Sequence, residues 1–350
     1  MSAEAHIVLT GGAGYIGSML LEALLRRGNW VTVIDTLEYG GSGVLPHSAN
    51  PRLTFMRADI DHASVLQDAV KRASQAGAPP AGAVVHLAAI VGYPACKIAG
   101  EERVWRTNVA GLKRSFDAAD SLRVERFIFA STYSVYGSAK DEAAVTESAP
   151  LHPQSLYAES KIAGETFLRE QGADAACAPL IFRFSTLYGL SPRMRFDLII
   201  NQFVLEAHAR GELIVFEKKL ARSFVHIQDV VRGILLGLDA GRARICNQTI
   251  NLGDSNGNLS KDEIVAQIVK QCPGTRVLYK ELAFAGDMRS LRVSFDSAAQ
   301  VLGFSAQRRV ADGIAELLES LRGGLFVDPF APHYRNAPQV VGADAGESVQ

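Results

Sequence analysis

Cysteine is scarce in this chain, with only Cys96, Cys177, Cys246 and Cys272 among 350 residues and no C-x-x-C pair. Such scattered thiols argue against a disulfide framework or a zinc site, so no metal is expected, and reduced thiols suit a cytoplasmic location. Charge of one sign is lacking as well. Thirty-six Lys+Arg stand against 37 Asp+Glu, a formal net charge of −1, which removes the electrostatic reason to expect nucleic acid or an acidic membrane surface as partner. No apolar run is long enough to span a bilayer, and Ile7–Leu9 is too brief for a signal peptide. There is no internal repeat. What is present is an ordinary globular mix, 48% hydrophobic and 21% charged, sized for one large domain or two modest ones.

Short β-branched runs alternate with helical patterns. Strands are predicted at Ile7–Thr10, Trp30–Ile34, Leu53–Arg57, Ala83–Leu87, Arg126–Ala130 and Pro179–Phe184. Helices are predicted at Ser18–Arg27, Ala63–Gln75, Glu101–Ser121 and Leu156–Glu170. The strands read as continuous apolar runs, as buried parallel strands do. The alternation predicts an α/β fold, a Rossmann-type doubly wound parallel sheet. After Phe184 the rhythm changes. Leu187–Asp197 reads as loop, Leu198–Arg210 as helix, Leu213–Phe216 and Phe224–His226 as short extended pieces, and Asp229–Asp239 as helix. Gln248–Leu252 is expected to rejoin the main sheet, Lys261–Gln271 is a helix with Ser260 as N-cap, and Val310–Arg322 is the last helix. These segments predict a smaller, discontinuous α/β substrate lobe. The expected division is 1–186 with 226–252 for the Rossmann domain and 187–225 with 253–325 for the lobe. The tail, 326–350, is expected on the surface or disordered.

The first strand runs into G-G-A-G-Y-I-G and then into a helix. Gly11 permits the sharp turn, Gly14 lets the backbone approach a pyrophosphate, and Gly17 lets helix and strand pack closely. The helix N-terminus offers free N–H groups and a positive dipole end to phosphates. Asp35 ends the second strand, eighteen residues after Gly17. It either accepts bonds from the adenosine ribose hydroxyls, which favours NAD over NADP, or merely caps a loop. Asp59, after the third strand, either meets the adenine edge or caps the helix that follows.

Tyr157 and Lys161 stand at i and i+4, on one face of a helix. A free phenol, with a pKa of ~10, is a poor base at neutral pH. A neighbouring ammonium and an oxidised nicotinamide favour the phenolate, which can take a proton from a substrate hydroxyl as hydride leaves the same carbon. Lys161 can also bond the nicotinamide ribose. Thr132, just past a strand's C-terminal end, lies where an open α/β sheet places its ligand, and its hydroxyl can bond the substrate oxygen.

Together these pieces resemble an extended short-chain dehydrogenase/reductase of the NAD-dependent sugar epimerase/dehydratase type. The matching residues are Gly11–Gly17, Asp35, Asp59-Ile60, His86–Ala89, Asn108–Gly111, Ser131-Thr132, Tyr136-Gly137, Tyr157 with Lys161, Arg183 with Tyr188-Gly189, and Arg222–Asp229. The resemblance covers about residues 7 to 322. It implies NAD as cofactor and Thr132, Tyr157 and Lys161 as the catalytic set. Tyr15, Ile16, Ile60, Leu87, Ala88, Ala89 and Asn108 would join the glycines and both aspartates along the cofactor. His86 would either join them or be a satisfied histidine at a strand end. A nucleotide sugar is implied as substrate, with Ser131, Tyr133 and Ser134 beside the sugar. Arg222 and Arg289 would hold its diphosphate, bidentate as guanidiniums can, with Asn201 adding an amide contact. Surface salt bridging is the alternative for both arginines. Arg193 and Arg195 lie on an expected lid loop or are solvated. Tyr93 and Cys96 lie beside the sugar, or Cys96 is a buried small residue. A homodimer through Glu101–Ser121 and Leu156–Glu170 is the family's habit.

Position 134 narrows the reaction. Relatives that dehydrate or decarboxylate carry a glutamate there, dehydratases with an aspartate before it, and 3,5-epimerases carry a cysteine, because elimination or deprotonation beside a ketone needs an extra acid or base. Here Tyr133 and Ser134 stand in those places. Two enzymatic readings remain, an NAD-dependent nucleotide-sugar 4-epimerase and an NAD(P)H-dependent 4-ketoreductase. A cofactor-binding sensor without turnover is a third. The segments Ile90–Cys96 and Leu190–Asp197 depart from the galactose-epimerase pattern and put that sugar in doubt.

Overall fold

The computed structural model describes residues 4–138, 143–173, 175–281 and 290–337. Its strands are β1 (His6–Thr10), β2 (Trp30–Asp35), β3 (Leu53–Arg57), β4 (Ala81–His86), β5 (Arg126–Thr132), β6 (Ala178–Phe184), β7 (Thr186–Tyr188), β8 (Glu212–Phe216), β9 (Ala221–His226), β10 (Gln248–Leu252), β11 (Asn258–Ser260) and β12 (Arg276–Lys280). Seven form one sheet in the order β10-β6-β5-β4-β1-β2-β3, every pairing parallel. The chain leaves β1 toward β2 and β3, then returns to build outward through β4, β5, β6 and β10. That reversal opens a crevice beyond the C-terminal ends of β1 and β4, where ligands of open α/β sheets bind.

The helices are α1 (Tyr15–Arg26), α2 (Val65–Gln75), α3 (Tyr93–Ala99), α4 (Glu101–Val104), α5 (Gly111–Ser121), α6 (Leu156–Gln171), α7 (Ile199–Arg210), α8 (Ile227–Asp239), α9 (Arg242–Ile245), α10 (Lys261–Gln271), α11 (Asp296–Leu302) and α12 (Val310–Arg322). Strand period two explains the layering. Ile7 and Leu9 face Leu20 and Leu24 of α1 and Ile234 of α8. Val8, between them, faces Leu66 of α2, Phe116 of α5 and Leu168 of α6. Burying each such side chain contributes about 1.5–3 kcal/mol.

The smaller lobe has its own core, drawn from α7, α10, α12, β8 and β9 and including Val204, Ile264, Leu317, Leu213 and Phe224. Its strands make a β11-β9-β7 sheet and a β12-β8 pair. Ser260 caps α10 through a capping box, its Oγ accepting from the Glu263 N–H at 3.2 Å.

Several elements differ from the sequence reading. Helix α1 begins at Tyr15, not Ser18, because the glycine turn enters it without a linker. The single helix expected over 101–121 is interrupted by a π-helical stretch, Trp105–Ala110, a widening that apolar periodicity does not reveal. Helix α11 falls within the expected substrate lobe, but its Ala298 and Leu302, with Phe304, pack into the core of the large sheet. The chain after 325 follows the first of its two expected forms through Ala337, lying over the surface, but it docks there by specific contacts. Phe326 and Tyr334 meet Phe196 edge-on, with centroids 5.0 and 5.8 Å apart. Phe326, Phe330 and Tyr334 recur every four residues and supply apolar area that composition alone does not register. Residues 338–350 lie outside the described residues.

Candidate active site

A cavity of about 640 Å³ opens at the crevice, bounded by the glycine turn, the C-terminal ends of β4 and β5, the start of α6, the loop before α7 and the end of the described chain. Its size suits a small-molecule site. Gly11 has φ +73°, and a Cβ there would lie 2.7 Å from the Ala88 nitrogen. At Gly17 a Cβ would strike the Gly11 carbonyl oxygen. The turn is therefore a cradle only glycine allows, with the N-terminus of α1 pointing into it. Those features fit a dinucleotide diphosphate.

Asp35 lies on the cleft wall, where its carboxylate accepts from the Ala13 N–H (3.0 Å) and the Leu37 N–H (2.8 Å). Burial raises its pKa, and the two N–H donors partly oppose that. Both readings of Asp35 thus have a structural footing, because the residue caps the turn and still borders the cavity. Asp59 likewise accepts from the Asp61 N–H at 3.2 Å while lining the cleft. Gly14, Ile16, Ile60, Leu87, Ala88 and Ala89 line it too. Tyr15 borders it, but its hydroxyl is turned away, donating to the Gly189 carbonyl at 2.6 Å.

Thr132, Tyr157 and Lys161 converge on the wall. Lys161 is buried, its Nζ donating to the Ala130 carbonyl at 2.7 Å and lying 5.8 Å from the Tyr157 ring centroid. Burial lowers its pKa to about 8. The Thr132 hydroxyl caps the turn Tyr133–Tyr136, accepting from the Ser134 N–H at 3.2 Å and donating to the Ser134 hydroxyl at 3.1 Å. Tyr133 shares a hydrogen bond with the Thr186 hydroxyl at 2.9 Å. Arg222 borders the same cavity.

Other expected residues are placed differently. Asn108 does not line the cleft. Held by the π-helical stretch, its amide binds both the N–H and the carbonyl of Ile90 (2.8 and 3.0 Å) and donates to Ser160 (3.1 Å). It fastens the loop after β4 to α6, the helix of Tyr157. Asn201 is fully buried and also off the cleft, its amide spent on the Gly189 N–H, the Tyr15 hydroxyl and the Arg195 carbonyl. Ser131 borders the cleft, yet its hydroxyl is committed to Glu165 at 2.5 Å. His86 is a buried strand-end histidine bonded to Thr10 and stacked on Phe127, and burial lowers its pKa to about 3, leaving it neutral. Cys96 is buried with its thiol on the Ile90 carbonyl, and burial raises its pKa to about 11. Tyr93 is exposed at the cleft edge. Arg289 falls outside the described residues. In the Arg222–Asp229 run, His226 binds Glu316 and Asp229 accepts from the Gln307 and Arg308 N–H groups, which locks α8 to the chain before α12.

The sequence reading missed Glu165. Fully buried beneath the site, it pairs with Arg183 at 2.6 Å and receives Ser131. Arg183 also donates to the Tyr136 hydroxyl at 2.8 Å, which in turn donates to Asn251 at 2.7 Å. Position 165 lies one helical turn beyond Lys161, on the same face of α6, and that spacing was the available signal.

Fold, glycine cradle and the Thr132–Tyr157–Lys161 group define a nicotinamide-dependent enzyme of the extended short-chain dehydrogenase/reductase type. Over residues 7–253 the chain matches the NAD dependent epimerase/dehydratase family, and it belongs to that family. It is 30% identical over 332 residues to a dTDP-glucose 4,6-dehydratase of Streptomyces niveus, covering 91% of this chain and 93% of the relative. It is 28% identical to a UDP-glucose 4-epimerase of Streptomyces lividans, over 75% and 79% of the two chains. Among solved structures, MoeE5 in complex with UDP-glucose and NAD superposes with a TM-score of 0.75 at 29% identity, covering 92% of this chain and all of that one. Among the described residues no helix is long and apolar enough to cross a membrane.

Proposed function

We propose that this enzyme is a nucleotide-sugar 4-epimerase, oxidising one sugar carbon and reducing it again on the other face. Relatives named for dehydration and for epimerisation are about equally similar overall, so the argument rests on the site. The carrying observation is the state of the acids on the cleft wall. Among the described residues these are Asp35, Glu38, Asp59 and Asp197. Asp35 and Asp59 accept from backbone N–H groups, Glu38 pairs with Arg103, and Asp197 pairs with Arg195. At the turn beside Thr132, Tyr133 and Ser134 offer only hydroxyls, both hydrogen-bonded. Neither is a general base at neutral pH. Among the described residues, water elimination or deprotonation beside a ketone finds no second acid–base group, whereas redox at a single carbon needs only the three residues that converge.

In this reading NAD, when bound, supplies the hydride acceptor and donor. Tyr157 takes the proton of the sugar hydroxyl and later returns it, while Thr132 turns its single hydroxyl proton from Ser134 to the same oxygen. Lys161, charged below about pH 8, favours the Tyr157 phenolate. Arg222 and its neighbours on the smaller lobe grip the diphosphate.

The test is incubation of the purified protein with NAD and a panel of UDP- and dTDP-hexoses, and in parallel with NADH or NADPH and their 4-keto forms. Interconversion of 4-epimers without net cofactor consumption supports the proposal. Formation of a 4-keto-6-deoxy product, or stoichiometric loss of reduced cofactor with a 4-keto sugar, refutes it in favour of dehydratase or ketoreductase.

A further inference from the structure

Among the described residues, two arginines on the cleft wall are buried without a direct salt-bridge partner. Arg193 is 3% and Arg335 5% exposed, and among the described residues neither forms a salt bridge. Arg193 lies over Tyr39, its Cζ 4.2 Å from the ring centroid, and donates to the Arg335 carbonyl at 3.2 Å. The Nε of both, and one terminal nitrogen of Arg335, are buried with no hydrogen-bond partner. Carboxylates act on them only without a direct bond, Asp197 on both, Asp35 on Arg193 and Glu206 on Arg335, and the Asp197 oxygens already receive Arg195 and the Asn336 N–H. Burying a guanidinium unpaired is strongly unfavourable, and such groups are normally matched by an anion.

The position of Arg335 is built, not incidental. Tyr334 anchors the preceding turn on Phe196. Beyond Arg335, the Asn336 side chain reaches the Val91 carbonyl at 3.4 Å, and Ala337, like Tyr157, packs against the buried cluster of Ile90, Ala95, Cys96 and Val104. The end of the described chain thus crosses from the smaller lobe to the loop after β4, beside the catalytic helix.

We propose that Arg335, carried in by this C-terminal segment, joins Arg193 in an anion subsite that takes phosphoryl oxygens of a diphosphate. The inference rests on the cleft being a nucleotide site, as in the reading above, and adds a residue from outside the family-matched region, 7–253. Diphosphate is the shared chemistry of two sources, the dinucleotide cofactor and the nucleotide sugar. Burial and the neighbouring Arg195 lower the pKa of Arg193 to about 10, as expected where positive charge is in excess.

The experiment compares wild type with Arg335→Gln and Arg335→Lys by calorimetry, titrating NAD alone, then UDP and dTDP into NAD-saturated protein, with adenosine and uridine as phosphate-free controls followed by NMR. The expected result is a loss of about tenfold or more in Arg335→Gln for one diphosphate class, partial rescue by Arg335→Lys, unchanged nucleoside binding and a ligand-free Tm no lower than wild type, since a buried unmatched charge is removed. Weakened NAD assigns the cofactor's diphosphate, and weakened UDP and dTDP assign the substrate's. Unchanged affinity for all diphosphates overturns the proposal, as does an equal loss for the uncharged nucleosides. A protein that binds diphosphates through Arg335 but interconverts no sugar keeps this subsite and loses only the epimerase reading.

Discussion

Lys161 donates to the Ala130 carbonyl at 2.7 Å, tying the helix that bears Tyr157 to the strand that ends in Thr132. The bond fixes the ammonium in a buried place, where its pKa falls to about 8. Below that value the lysine is charged and favours the Tyr157 phenolate. As pH rises through it the charge is lost, and the phenol returns toward its ordinary pKa of ~10. Turnover should therefore decline above about pH 8, and Lys161→Arg should shift that decline to higher pH. A wild-type rate that climbs steadily to pH 10 would contradict this assignment.

Substituting Tyr157 by Phe removes the proton acceptor while leaving the glycine cradle intact. Turnover should fall by about 10²–10⁴-fold, with NAD affinity changed little. Parallel kinetics and fluorescence titration separate the two effects, and retained activity would exclude Tyr157 as the base.

If no second base acts beside the transient ketone, turnover in heavy water should leave carbon 5 of the sugar unlabelled. Mass spectrometry of the recovered epimers reads this directly. Deuterium at that carbon would point to a base that Tyr133 and Ser134 do not provide.

Gly17→Ala places a methyl group against the Gly11 carbonyl oxygen. The neighbour is backbone, so the turn must shift. NAD binding should weaken by at least about tenfold, a 1.4 kcal/mol effect, measured by calorimetry. Gly41→Ala, near only the flexible Leu37 side chain at 3.7 Å, serves as the control and should bind NAD as wild type does.

Glu165→Gln breaks a fully buried ion pair with Arg183. Leaving that guanidinium unmatched should destabilise the fold by about 3–5 kcal/mol, seen as a lower urea midpoint. Stability equal to wild type would mean that the Tyr136–Asn251 branch alone satisfies Arg183.

Much of the large sheet was legible because its signals are local. Apolar runs such as Leu53–Arg57 and Gln248–Leu252 match the observed strands end to end, and a glycine turn between strand and helix states its own geometry through the absence of side chains. Tyr157 and Lys161 needed only helical spacing to share a face. The places where reading failed are those where partners come from far along the chain. Asn108 was expected along the cofactor, yet a π-helical widening turns it toward Ile90 and Ser160. Asn201 was expected to contact the substrate, yet its amide is spent on Gly189, Tyr15 and Arg195.

Local chemistry along the chain determined the fold class, the cofactor turn and the shared face of Tyr157 and Lys161, because each depends on residues within a few positions of one another. Tertiary structure alone decided which polar side chains face the cavity. Burial and hydrogen-bond partners are set by packing between segments as distant as Phe196 and Tyr334. That same packing brings the guanidinium of Arg335, which forms no salt bridge among the described residues, to the cleft wall beside Arg193.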